Sequence, residues 1–116
     1  MSTADIAAKF TDTLKAGKFE EAESFWSDDI ASFEAMDGPM REARGRAAVH
    51  AKGEWWVANH DVHSFEVSGP FVNGDQFAVR FKIDVTPKTN GQRMQMDEVG
   101  LYTVRNGKIA EERFFY

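Results

Sequence analysis

Two glutamates near the end of the chain, Glu98 and Glu112, have the surroundings that acid–base chemistry requires. Each lies in a stretch rich in β-forming residues, and an Asn-Gly pair at positions 106–107 between them predicts a hairpin. If both face the same way, they share that face with Tyr102 and Phe114. A carboxyl group shielded by aromatic rings near a second acid has a raised pKa, as proton transfer near neutral pH requires. Both glutamates are therefore candidate catalytic residues.

The register of this hairpin decides which side chains share a face. A two-residue turn at 106–107 sets Leu101 opposite Glu112. A three-residue loop with a glycine bulge instead sets Gly100 opposite Glu112. The order Arg-Asn-Gly-Lys favours the bulged loop. In the bulged form, one face of the hairpin carries residues from both strands. They are Met96, Glu98, Gly100 and Tyr102 from the first strand and Ala110, Glu112, Phe114 and Tyr116 from the second.

The elements that must position these residues follow an α+β order. Three Asn-Gly pairs, which tolerate the positive φ of tight hairpins, predict four long antiparallel strands. These strands are expected at 62–72, 76–88, 92–104 and 108–116. The N-terminal half predicts a helix from Ser2 or Thr3 to Gly17, a shorter helix at 19–26, a strand at 30–36 and a third helix from Gly45 to about Asn59. Helices on one face of an antiparallel sheet should result.

Length and composition exclude several classes of protein. The 116 residues suit one domain, 1–116, and the formal charge of −5 without a basic run argues against a nucleic-acid partner. The chain has no cysteine for disulfides or thiolate metal sites. No apolar run is long enough for a membrane, and the N-terminus lacks the pattern of an export signal. These features predict a cytoplasmic protein with no membrane partner.

Motifs for metals and cofactors are also absent. His60 and His63 would lie on opposite faces of a strand, and no HExxH pattern supports a metal site. The sequence contains no Ser-His-Asp context and no glycine-rich phosphate loop. We therefore expect neither a metal nor a cofactor.

Four segments resemble the NTF2-like superfamily, in particular its SnoaL-like polyketide cyclases and ketosteroid-isomerase-like proteins. They are LKAGKF after the first helix, FWSDDI before the first strand, GRAAV at the third helix and YTVRNGKI at the last hairpin. The resemblance covers essentially the whole chain. It implies a cone-shaped, curved antiparallel sheet with three helices on its concave face, a cystatin-like α+β barrel. Because the superfamily includes isomerases, cyclases, hydrolases, dehydratases and binding domains, the reaction stays open.

The resemblance also implies roles for individual residues. The isomerases carry a general-base carboxylate on the first strand, and Glu34 matches that position. Their oxyanion-binding tyrosine falls on Phe10, and its partner acid falls near Gly100, so both of those donors are missing. In the cyclases the base is an acid on the later strands, for which Glu98 is the candidate.

The implied site is a chamber for a hydrophobic small molecule. Trp55 and Trp56 are adjacent on a helix and point about 100° apart, so at most one should line it. Alternatively, Glu98 and Glu112 are solvated or paired across the sheet, and Arg80 is an ordinary exposed strand residue. The proposed walls are Phe10, Trp55 or Trp56, Tyr102 and Phe114, with the acids Glu34, Glu98 and Glu112 and with Arg80 as counter-charge.

Three function classes remain. The first is a cofactor-independent isomerase, cyclase or hydratase-type lyase that uses Glu34, or Glu98 with Glu112. The second is a binding domain for a hydrophobic metabolite, and the third is an interaction module that assembles subunits. Apolar residues alternate on both faces of several strands, whereas the helices cover one face, so we predict a homodimer.

Overall fold

A computed structural model of the protein describes all residues from Met1 to Tyr116. It has an α+β fold with helices and strands in the predicted order. The elements are α1 (Thr3–Lys15), α2 (Phe19–Glu23), β1 (Trp26–Phe33), β2 (Glu42–Arg44), α3 (Arg46–Ala58), β3 (His60–Asn73), β4 (Gln76–Pro87), β5 (Met94–Arg105) and β6 (Lys108–Phe115).

Helix α1 begins at a side-chain cap, whereas α2 and α3 have none. Ser2 caps α1, because its hydroxyl accepts from the Asp5 N–H while the Asp5 carboxylate accepts from the Ser2 N–H, both at 3.2 Å. Helix α2 is shorter than predicted, since Trp26 already pairs with Ile109 as the first residue of β1. No helix has the length and apolar character needed to cross a membrane.

The strands form one curved sheet in the order β2-β1-β6-β5-β4-β3. All neighbours are antiparallel except β1 and β6, which run parallel, so the fully antiparallel sheet predicted from the sequence is wrong at this pair. The short strand β2 was not predicted. The parallel pair matters for the site because it sets Ser32 beside Glu112.

The last hairpin differs from both predicted registers. Asn106 and Gly107 both have positive φ, 52° and 74°, and form a two-residue turn in which Arg105 pairs with Lys108. A bulge in β6 then shifts the pairing, so that Tyr102 lies opposite Glu112. The glycine-bulged loop favoured by the sequence is wrong, because the bulge lies within β6 instead of in the turn. This bulge still places Tyr102 and Glu112 on the same face of the sheet.

The interior beneath α1 is packed. The Phe10 ring centroid lies 5.0 Å from that of Tyr102 and 5.9 Å from that of Phe77. Tyr102 also stacks on Phe77 at 5.0 Å, and all three residues are at most 3% exposed. Phe10 therefore belongs to the core, not to the wall of an open chamber.

Thr11 places an unpaired polar atom in this core. It is completely buried, and its Oγ1 is the only wholly buried side-chain nitrogen or oxygen that has no hydrogen-bond partner. Thr11→Val replaces this hydroxyl with a methyl group of similar size. Because an unpaired buried hydroxyl is costly, we expect the free energy of unfolding in urea to rise by about 1 kcal/mol.

The matched control for this change is Thr13→Val. The Thr13 hydroxyl donates to the Lys9 carbonyl at 2.7 Å, so this substitution removes a made hydrogen bond and should not stabilise the protein. A loss of stability in Thr11→Val would contradict the expectation.

Candidate functional site

Three carboxyl groups and one ammonium group lie together between the sheet and α3. Glu98 is on β5, Glu112 is on β6, Glu34 directly follows β1, and Lys52 is on α3. We call these four residues the acid cluster. Contacts join Lys52 to Glu34 and, through Ser32, to Glu112, and the charges of all three act on the pKa of Glu98.

Lys52 supplies the positive charge of the acid cluster. It lies three residues after Val49 and four before Trp56, on the stripe of α3 that packs against the sheet. Its Nζ is 2.5 Å from Glu34 Oε2 and 5.2 Å from the Phe114 ring centroid. With only 13% of its side chain exposed, Lys52 is held between a carboxylate and an aromatic face.

Ser32 links Lys52 to the most buried acid. Its Oγ accepts from Lys52 Nζ at 2.6 Å and donates to Glu112 Oε2 at 2.7 Å. Burial raises the pKa of Glu112, while the Ser32 hydrogen bond and the Lys52 charge act in the opposite direction. A continuous hydrogen-bonded chain therefore connects the ammonium group to Glu112.

The backbone N–H and both carboxylate oxygens of Glu34 have partners. Its N–H donates to the Arg41 carbonyl at 2.8 Å and fixes the backbone after β1. Its Oε1 accepts from the Tyr116 hydroxyl at 3.0 Å, while Oε2 is in the ion pair with Lys52. Neither carboxylate oxygen is left without a partner.

Glu98 has a different environment. It is half-buried on the inner face of β5, opposite Phe81 on β4, and its carboxyl group makes no hydrogen bond to the protein. Burial, followed by repulsion from Glu34 and Glu112, raises the pKa of Glu98 to about 7, although Lys52 opposes the shift. Glu98 can therefore both accept and donate a proton near neutral pH.

The structure brings together the three predicted acids but not the predicted cation. Arg80 lies on the outer face of β4, where its guanidinium donates to both oxygens of Asp97 at 2.9 and 2.6 Å. Strand alternation causes this placement, because Val79 and Phe81 point inward. Arg80 as an inward counter-charge is thus wrong, and Lys52 occupies that role.

The predicted aromatic wall is only partly present. Phe114 is half-buried beside Lys52, and Tyr102 lies edge-on to it with ring centroids 6.4 Å apart. Trp55 is 48% exposed, whereas Trp56 stacks on His60 at 4.3 Å. The wall therefore consists of Phe114 and Tyr102, with Phe10 behind Tyr102 in the core.

A concavity of about 360 Å³ opens beside Glu34. Of the predicted site residues it shares only Glu34, so it is not the aromatic chamber expected from the sequence. Its lining residues are Phe33, Glu34, Arg41, Glu42 and Arg113.

The sequence did not lead us to Lys52 or Ser32, and it placed Tyr116 on the shared face without assigning it a role. Lys52 carried a detectable signal, since a lysine in the apolar stripe between Val49 and Trp56 is unusual. Ser32 becomes visible only through the parallel pairing of β1 with β6. Tyr116 follows β6, and its contact with Glu34 joins residues 82 positions apart.

The fold and its inward acids define the NTF2-like, cystatin-like class. The model of the SnoaL-like domain family matches residues 1–116, so the chain belongs to the SnoaL-like domain family, as its sequence resemblance predicts. No curated protein matches the chain.

Solved structures agree with this assignment. A Mesorhizobium loti protein assigned to the SnoaL-like polyketide cyclases is 58% identical, with a TM-score of 0.97 and 100% of both chains covered. A Burkholderia thailandensis NTF2-like protein has the same fold at 14% identity, with a TM-score of 0.85 over 99% of this chain and 90% of that one. A Xanthomonas campestris protein with a cystatin-like fold is 22% identical, with a TM-score of 0.79 over 99% and 90% of the chains.

Proposed function

We propose that this protein binds a small, hydrophobic carbonyl compound at the acid cluster and moves a proton on it without a cofactor. The observation that carries the proposal is Glu98, a half-buried carboxyl group without a hydrogen-bond partner beside an ordered ion pair. Such a group can take a proton from a carbon next to a carbonyl and return it elsewhere. Isomerisation or cyclisation is the class of reaction this supports, and a cytoplasmic location is part of the proposal.

Glu98 is a better proton acceptor than Glu34. An acceptor needs a free lone pair directed at the substrate, and both oxygens of Glu34 are already engaged by Lys52 and Tyr116. Glu34 therefore acts by orienting Lys52. This division of roles departs from the isomerase-like assignment of Glu34 and follows the cyclase-like assignment of Glu98.

Lys52 and Glu112 set the charge around Glu98. With all three acids ionised, the acid cluster would carry two uncompensated negative charges in a partly buried space, which is unfavourable. Protons therefore remain on Glu112 and Glu98 to higher pH than on exposed acids. When Glu98 takes a proton from the substrate, the Lys52 ammonium group offsets the negative charge that develops there.

The test is proton exchange and isomerisation of small ketones, beginning with cyclohex-3-en-1-one in deuterium oxide, followed by NMR. The wild-type protein should accelerate both processes, and Glu98→Gln should lower the rate by about 10²- to 10⁴-fold. Arg80→Gln, on the outer face, is the matched control and should keep the wild-type rate. An undiminished rate in Glu98→Gln would overturn the proposal, and ketone binding without acceleration would favour a non-catalytic binding domain.

We also propose that two copies of the chain associate through the outer face of the sheet. Val99 and Phe115 pair across β5 and β6 there and are 37% and 50% exposed, and Phe71, two strands further on β3, is 65% exposed. A second copy would cover this apolar surface, which the helices cannot reach.

Phe115→Glu should therefore convert a dimer into a monomer, because it buries a charge at the contact. Sedimentation velocity at micromolar concentration measures the change. Phe19→Glu is the control, since Phe19 is equally exposed, at 49%, but lies on α2 and packs on Phe65 at the inner face of the sheet. A wild-type monomer under these conditions would refute the dimer.

A further inference from the structure

We propose that the concavity beside Glu34 binds a small organic carboxylate, which the guanidinium groups of Arg113 and Arg41 hold. Its volume of about 360 Å³ suits a ligand of this size. The site lies toward the outer face of the sheet, because Arg113 follows the inward Glu112 on β6 and successive side chains of a strand alternate. It is therefore a second ligand site, which shares only Glu34 with the acid cluster and does not depend on the proton transfer proposed above.

Arg113 has hydrogen-bond donors that the protein does not use. Its guanidinium carbon lies 4.2 Å from the Phe33 ring centroid, over the face of the ring, and the two residues pair across β6 and β1. The Arg113 side chain makes no hydrogen bond, since the one acid it approaches, Glu111, keeps its Oε1 3.6 Å from Arg113 Nη2. Stacking engages the flat side of a guanidinium and leaves the N–H groups on its edge free. Phe33 thus holds Arg113 in place while its donors stay available for a ligand.

Arg41 supplies the second guanidinium group of the lining. Its backbone is fixed, because its carbonyl accepts from the Glu34 N–H at 2.8 Å and its own N–H donates to the Gly38 carbonyl at 3.1 Å. The side chain donates once, from Nη1 to Asp37 Oδ1 at 2.7 Å, and these two side chains are 65% and 89% exposed. Ion pairs exposed to water in this way are weak, so a ligand carboxylate can replace Asp37 or share the guanidinium group with it.

The two acids of the lining are already paired within the protein. The Glu34 carboxylate accepts from the Tyr116 hydroxyl and forms the ion pair with Lys52. Glu42 Oε1 accepts from Arg44 Nε at 2.8 Å and lies 2.6 Å from Arg44 Nη2. The two arginines of the lining are therefore the groups that have hydrogen-bonding capacity to spare.

The charges of the lining favour a carboxylate over a phosphate. A carboxylate matches the paired N–H groups of a guanidinium and carries a single charge. A phosphate dianion brings a second negative charge next to Glu34 and Glu42, which repel it. Phe33 is half-buried and offers an apolar contact to the organic part of the ligand. An aromatic carboxylate such as benzoate is therefore a suitable probe.

Titration with benzoate, followed through the arginine Nε–H signals in ¹⁵N NMR spectra, tests the inference. The Arg113 signal, assigned by its loss in Arg113→Met, should shift in the wild-type protein. Calorimetry should show that Arg113→Met weakens benzoate binding about 10-fold or more, because a charge-assisted contact is lost. Arg113→Lys keeps the charge but not the flat, two-pronged edge, so it should weaken binding as well, as should Arg41→Met. Arg105→Met removes an exposed arginine of β5 outside the lining and is the matched control, with unchanged affinity.

Two further probes test the class of ligand. Benzamide has the shape of benzoate without its charge and should leave the Arg113 signal in place, so an equal response to both compounds overturns the recognition of a carboxylate. Tighter binding of inorganic phosphate than of benzoate overturns the choice of carboxylate over phosphate.

The variants test the site itself. Full benzoate affinity in Arg113→Met, or no response of the wild-type protein at tens of millimolar benzoate, shows that the concavity is not a carboxylate site. The melting temperature of each variant is measured alongside, and Arg113→Lys and Arg41→Met provide the same test if Arg113→Met does not fold. Proton transfer at Glu98 is measured separately by the ketone assay, so either proposal can fail while the other stands.

Discussion

Lys52→Met should destabilise the protein by about 3–5 kcal/mol at pH 8, since removing one partner leaves buried charge uncompensated. Glu34, with 22% of its side chain exposed, would lose its ion pair, and Ser32 would lose a donor. Lowering the pH favours protonation of Glu98 and Glu112, whose pKa values are raised, so the loss should shrink at pH 5. Urea denaturation at the two pH values measures both effects.

The control and the rescue for Lys52→Met use the same assay. Lys82→Met removes an exposed lysine from the outer face of β4 and should change the free energy of unfolding by less than about 0.5 kcal/mol. Adding Glu112→Gln to Lys52→Met removes one buried charge and should recover part of the lost stability at pH 8. If Lys52→Met is as stable as the wild type at pH 8, the acid cluster is not electrostatically coupled.

Glu98→Gln should make the protein more stable at pH 8 while strongly lowering the rate of proton transfer. The pKa of Glu98 rises from 4.5 to about 7 on folding, so between these values the folded state holds a proton that the unfolded chain releases. Stability is therefore fully present below pH 4.5 and is lost as pH rises through 7. The loss reaches about 2–3 kcal/mol at pH 8, and a neutral glutamine avoids it.

The pH dependence of unfolding in urea distinguishes this effect from ordinary packing changes. The stability gain of Glu98→Gln should be present at pH 8 and absent at pH 4. Glu66→Gln, an exposed acid on β3, is the matched control and should show no such pH-dependent gain. Equal stability of Glu98→Gln and wild type across this range would mean that Glu98 is solvated. A gain in stability with a loss of activity is the pattern expected where a site is strained for function.

Local signals in the sequence were sufficient for the four long strands and the three helices. Asn-Gly turns and alternating β-branched residues mark the four long strands, and the cap at Ser2 marks the first helix. The register of the last hairpin was not predictable from the turn, because the pairing shifts at a bulge near Ala110, where the pairing of β6 with β1 shifts as well. Alternation alone still identified the shared face of Glu98 and Glu112.

The resemblance indicated Glu34, whereas residue spacing predicted only the part of the site that is local to the late strands. Glu98, Glu112, Tyr102 and Phe114 share one hairpin, so turn and pleat geometry group them. Lys52 contacts these strands from helix α3. The pattern of acids and aromatic residues on the strands does not indicate which lysine or arginine pairs with the acids. Arg80 was proposed as a counter-charge, with an ordinary exposed strand residue as the alternative, and the pleat turns it outward.

The state of Glu98 is the central claim, and ¹³C-carboxyl NMR titration of the wild-type protein measures it directly, with Glu98→Gln assigning the signal. We expect the Glu98 carboxyl group to titrate with a midpoint near pH 7. A midpoint near 4.5, the ordinary value for a glutamate in water, would contradict the account.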